Sequence, residues 1–134
     1  TDFARGLVPL LGNPRTLGEA FTITGDDVLT WDQIARALAA AAGVEDLRIV
    51  HVPSDAIAAE DPEWGASLLG DKAHSSVFDT TKLRSIVPDF TTTVRFEQGA
   101  REMVEWYDAD PARRVVDERT DALMDRLVER FAVR

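Results

Sequence analysis

Glu19-Ala20-Phe21-Thr22-Ile23-Thr24, followed by Gly25-Asp26-Asp27-Val28-Leu29-Thr30-Trp31-Asp32-Gln33 and then by Leu47-Arg48-Ile49-Val50-His51-Val52, decides how this chain is read. In the first segment Phe21 and Ile23 alternate with polar neighbours, the period of a strand with one apolar face. Gly25-Asp26-Asp27 turns the chain. Thr30 and Gln33 then have the spacing of a capping box, which predicts a helix running to Ala42 and stopped at Gly43, with Trp31, Ile34, Leu38 and Ala41 on one face. Its alanine run would let it lie close against a sheet. The third segment is nearly all apolar, which predicts a strand buried on both faces. Strand, helix, strand at this separation is the pattern of a right-handed crossover unit, so the expected fold class is α/β.

Outward from that core, Thr1 or Asp2 can cap a helix with Phe3, Leu7, Leu10 and Leu11 at near-helical spacing, ended by Gly12-Asn13-Pro14. A helix is expected from Pro53-Ser54-Asp55 to about Glu60, and Asp61-Pro62-Glu63-Trp64 opens a further helix or a loop. Ser76–Phe78 reads as a short third strand. Asp79 caps a helix that stops at Pro88, and Lys82, three residues on, can pair with Asp79 or be solvated. Phe96, Ala100, Met103 and Tyr107 mark an amphipathic helix, and Leu123, Leu127 and Phe131 mark a terminal one. Two or three strands cannot cover five to seven helices. Either the sheet is completed elsewhere or the helices form most of the core. The blunt start at Thr1, already in a helical pattern by Phe3, adds to the expectation that the chain is the latter part of a larger protein.

The 134 residues suit one domain, and 45% apolar with 29% charged residues is the composition of a soluble globular chain. A net charge of −9 argues against a nucleic-acid or anionic-membrane partner acting through a bulk positive field. Without cysteine there is neither a disulfide nor a thiolate metal site, which fits a reducing compartment. No apolar run approaches the roughly 20 residues of a membrane helix. The expected location is cytoplasmic.

Chemistry-bearing residues concentrate in Asp71-Lys72-Ala73-His74-Ser75-Ser76. His74 reads either as a solvated loop residue or as a substrate contact. Ser75, Lys72 and Trp64, the last in the least legible part of the chain, complete the candidate substrate contacts. His51, inside the second expected strand, reads as structural, since no second ligand stands at metal spacing. The carboxylates form no evident acid–base couple. There is no G-x-G-x-x-G turn, and the single tyrosine, Tyr107, precedes no lysine. The residues therefore hold no complete catalytic site, no cofactor-binding motif and no metal site.

Several motifs occur together in order: Thr1-Asp2-Phe3-Ala4-Arg5-Gly6-Leu7, Gly18-Glu19-Ala20-Phe21-Thr22-Ile23-Thr24, Leu29-Thr30-Trp31, Val52-Pro53, Phe78-Asp79-Thr80-Thr81-Lys82, Pro88-Asp89-Phe90, Phe96-Glu97-Gln98-Gly99 and Trp106-Tyr107. Over residues 1–114 this set resembles the C-terminal, substrate-binding part of the extended short-chain dehydrogenases/reductases, the NAD-dependent epimerase/dehydratase group. Residues 115–134 add a terminal amphipathic helix expected to pack on that part.

The resemblance implies a helix-rich α/β fragment with a small, partly parallel sheet. It implies a missing N-terminal Rossmann domain that holds NAD or NADP and the Tyr-x-x-x-Lys pair. The parent would be an epimerase, dehydratase or reductase acting on a sugar-like or nucleotide-sugar substrate, and this chain alone would transfer no hydride. The family's diphosphate-binding arginine before a Gly-Asp pair is absent here, where Leu68-Leu69 precede Gly70-Asp71. Lys72 or His74 stands in its place as a point charge. The alternative is a stand-alone, non-catalytic interaction module whose exposed Phe21/Ile23 edge pairs with a partner or with a second copy as a homodimer. A weaker alternative is a small complete enzyme built on His74 and Asp71.

Overall fold

The structure, a computed structural model, describes residues 1–132. Its α-helices are α1 (Asp2–Leu7), α2 (Trp31–Ala41), α3 (Ser54–Glu60), α4 (Pro62–Ser67), α5 (Thr81–Arg84), α6 (Phe96–Asp108) and α7 (Glu118–Phe131). Short 3-10 turns follow α1 at Val8–Leu10 and occur at Pro14–Thr16 and Pro111–Arg113, and α4 runs on into a π-helical turn, Leu68–Lys72.

The expected small, partly parallel sheet is a correction. Among the described residues there is no strand, and the fold is all-α. Residues 19–24, 47–52 and 76–78 carry no helical or strand assignment. Alternation of apolar and polar residues reports an extended segment with one apolar side; it does not supply the neighbouring strand that a ladder of backbone hydrogen bonds requires. Residues 20–24 enter no backbone–backbone hydrogen bond among the described residues. The apolar side of that segment is instead taken up by helix and turn residues, as Phe21 and Ile23 pack against Leu10, Leu83 and Phe90. Burial of residues 47–52 on both faces also fails: Leu47 is 38% exposed, and Arg48 and His51 face solvent. With the sheet goes the Rossmann-type fold class inferred from it.

The chain divides into two compact units, residues 1–43 with 77–103 and residues 44–76 with 104–132 of the described chain. In the first, Leu83 on α5 is fully buried between Leu10 and Phe90, with Ile86 and Val87 packed around them. Gly6 on α1 makes this core possible, because a Cβ there would lie 2.6 Å from Ile23 Cγ2 and 2.9 Å from the Phe90 ring. The capping box predicted for α2 is present: Gln33 N–H donates to Thr30 Oγ1 at 3.2 Å, and Thr30 N–H donates to Gln33 Oε1 at 2.8 Å. The predicted stop is also present, with Gly43 in the left-handed region at φ +72°.

The second unit is built around Leu123 and Leu127, the two buried side chains of α7. The Asp117 carboxylate caps α7 by accepting from the N–H of Arg119 and the hydroxyl of Thr120. Two ion pairs join α7 to the α3–α4 junction, Arg119 to Asp61 at 2.9 Å and Arg130 to Glu60 at 3.2 Å. Residues 133 and 134 of the predicted terminal segment 115–134 lie outside the described residues. No helix among the described residues is long and apolar enough to cross a membrane.

Candidate functional site

The predicted substrate residues all fall in the second unit, on α4 and the turn that follows it. Asp61 begins this piece. Its carboxylate accepts the Trp64 N–H at 3.0 Å, and Pro62 at the first helical position gives up no needed donor. Gly65 then crosses Ala58 of α3 so closely that no side chain fits between them. Beyond Ser67 the helix widens: Ala73 N–H reaches back five residues to the Leu68 carbonyl at 2.8 Å, the hydrogen bond of a π turn. His74 N–H closes on the Asp71 carbonyl at 3.1 Å, and the chain leaves in extended form through Ser75.

Lys72, His74 and Ser75 are thereby held at the end of a helix, all three exposed, whereas Trp64 is half-buried one helix earlier. Among the described residues no hydrogen bond or ion pair joins any of these four to another; what they share is one helix–turn segment. The Lys72 ammonium lies 3.0 Å from the Asp71 carboxylate, and both side chains are largely in solvent. That pair carries no net charge. It offers an acceptor and a donor side by side, a combination suited to hydroxyl groups, and it lacks the bidentate fork that would grip a diphosphate. No protein-family profile, curated protein or solved structure matches the chain. Among the described residues, no three histidine, aspartate or glutamate side chains cluster in a way that could hold a metal ion.

Elsewhere the structure departs from local reading. Asp79 does assist the start of α5, accepting the Thr81 N–H at 2.8 Å, but Lys82 does not pair with it. Its ammonium binds Glu19 at 2.6 Å, 63 positions away, and sits 5.0 Å from the centre of the Phe21 ring. His51 lines a groove of about 390 Å³ in the second unit together with Arg48, Val50 and Phe131.

The first unit holds a concavity that sequence reading missed. It measures about 450 Å³ and is lined by Asp2, Thr24, Asp27, Thr92, Val94 and Glu102 among others. Asp2 is anchored at its edge, accepting from the N–H groups of Val94 and Thr93 and from the Thr93 hydroxyl at 2.9, 2.7 and 2.9 Å. The Val94 N–H, followed by the Thr93 donors, holds the Asp2 carboxyl below its ordinary range, while partial desolvation acts against them. Nothing near Asp2 in sequence signals partners more than 90 positions on; its first-turn position reads as favourable helix electrostatics and nothing more.

Proposed function

We propose that this chain is the substrate-binding part of a cytoplasmic, NAD(P)-dependent epimerase, dehydratase or reductase. In this reading the nicotinamide cofactor and the tyrosine–lysine pair belong to a separate N-terminal Rossmann domain, and this chain contributes the substrate-facing surface. The ordered motifs from Thr1-Asp2-Phe3 to Trp106-Tyr107 support it. The observation that carries it is the π turn at Leu68–Lys72, which ends α4 and leads directly into the exposed segment that holds Lys72, His74 and Ser75. π-helical turns are rare and, inside helices, frequent at functional sites; this one closes the end of its helix.

The substrate chemistry favoured is a sugar-like polyol. The Asp71–Lys72 pair, with no net charge to draw a diphosphate, bonds hydroxyls well, and His74 and Ser75 add further hydrogen-bonding groups. The half-buried Trp64 supplies the aromatic side chain of the same helix–turn segment. Two measurements test the reading. The parent gene must encode an upstream glycine-rich loop and Tyr-x-x-x-Lys, and their absence ends the proposal. In the intact parent, saturation-transfer NMR with sugars and nucleotide sugars must show contacts at His74 and Trp64; transfer confined to other residues removes the site assignment.

A second reading has its own support. None of the residues of α2 is buried, and Trp31 is 69% exposed at its start. A non-catalytic module that docks a partner on this helix accounts for that exposure. Light scattering of the chain alone distinguishes the readings, since a strictly monomeric species counts against the module binding a second copy of itself.

A further inference from the structure

The charged residues that tie the first unit together are segregated by sign along the sequence. The carboxylates come from its early part: Asp2, Glu19, Asp26 and Asp27. Their partners come from a single later stretch. Lys82 meets Glu19 at 2.6 Å, Arg84 meets Asp26 at 2.6 Å, and Arg95 meets Asp27 at 2.7 Å. Asp2, with Arg5 at 3.7 Å, takes the Thr93 and Val94 donors of the same stretch. Between Glu19 and Asp26 the extended segment has no backbone ladder to hold it; it is also held by Phe21 and Ile23 against the Leu10–Leu83–Phe90 core, by Ile23 over Gly6 and by Gly25 beside Thr92. At least one partner in each of the three ion pairs is more than half exposed, so dissolved salt reaches and screens them.

We propose that residues 19–27 form a releasable arm, docked on the Lys82–Arg95 stretch by paired charges at its two ends and freed when those charges are screened or reversed. Release withdraws Phe21 and Ile23 from the core and leaves Leu83 and Phe90 uncovered, so ionic strength sets how much apolar surface the unit presents. The inference does not rest on the proposed function.

Methyl NMR of the full chain with labelled isoleucine tests it. Ile23 reports the arm, Ile86 the core it docks on, and Ile49 and Ile57 the second unit. In Lys82→Glu/Arg84→Glu, the Ile23 methyl should move toward its unstructured position as the released fraction rises roughly tenfold, with Ile86 staying at a folded position and Ile49 and Ile57 unmoved. Molar salt should do the same to the unaltered chain. Adding Glu19→Lys and Asp26→Lys to the reversed background should return Ile23 to its docked position. An Ile23 signal that ignores the reversal, a fourfold variant that fails to restore it, or an Ile86 signal that reaches its unstructured position along with Ile23 would overturn the proposal. The last would mean that the unit melts as a whole.

Discussion

Gly65 and Ala58 touch through their backbones: a Cβ placed on Gly65 would stand 2.2 Å from the Ala58 Cβ and 2.3 Å from its Cα. Neither atom belongs to a flexible side chain that could swing away, so α3 and α4 would have to separate. Gly65→Ala should therefore destabilise the second unit by about 3 kcal/mol through overpacking. Gly99→Ala on α6 should do the opposite. A Cβ there meets nothing within 4 Å, and replacing a helical glycine gains roughly 0.5–1 kcal/mol. Urea unfolding of the two variants should show midpoints displaced in opposite directions.

Acid should weaken the fold in a narrow window. Asp2, Glu19, Asp79 and Asp117 are all held below their ordinary values. The main causes are the Val94 N–H, the Lys82 ammonium, the Thr81 hydroxyl and N–H, and the Thr120 hydroxyl, respectively. A carboxyl depressed in the folded state stabilises that state above its unfolded value, 3.8 for aspartate and 4.5 for glutamate here. That contribution is lost as pH falls through the lower folded value. For these four groups, stability should be level from neutrality down to about pH 5 and fall below roughly pH 4. Asp2→Asn should shrink the fall, as followed by circular dichroism at fixed urea.

The start of α2 offers a cleaner local test. Thr30→Ala removes the oxygen that accepts the Gln33 N–H and should cost about 1 kcal/mol, whereas Thr30→Ser should cost much less. Amide exchange of Ile34–Leu38 should quicken by about fivefold in the alanine variant, with α7 unchanged.

If the proposed function holds, His74→Ala and Ser75→Ala made in the enzyme it requires should raise KM roughly tenfold and leave kcat within about twofold, the signature of lost ground-state binding. A fall in kcat at constant KM would assign these residues to the chemical step instead.

Much of this was legible wherever the governing interaction is short in sequence. The Thr30–Gln33 box, the Gly43 stop, the Asp61-Pro62 opening and the Leu123/Leu127 stripe are each fixed by residues within a turn or two of one another. Strand reading failed because pairing is a property of two segments. Glu19–Thr24 has the right alternation, yet its apolar side found Leu83 and Phe90, and no second strand lies beside it. Lys82 shows the same limit. Asp79 stood three positions away, but a helix begins between them and Asp79 is occupied by Thr81, leaving Glu19 as the acceptor within reach. The proposed site residues are chosen by type from the sequence, but the π turn that precedes His74 and Ser75 cannot be read there, since a single extra residue in a helix leaves no trace in apolar spacing over so short a piece.

That extra residue gives the molecule an indexing step. A π turn carries one residue more per turn than an α-helix needs, and a side chain added at Gly70 within it would meet no neighbour within 4 Å. Deleting Gly70 should let the bonds snap back to ordinary α spacing and rotate Lys72 and His74 about the helix axis by about 100°. One codon lost or gained at this point would thus point the same side chains in a new direction.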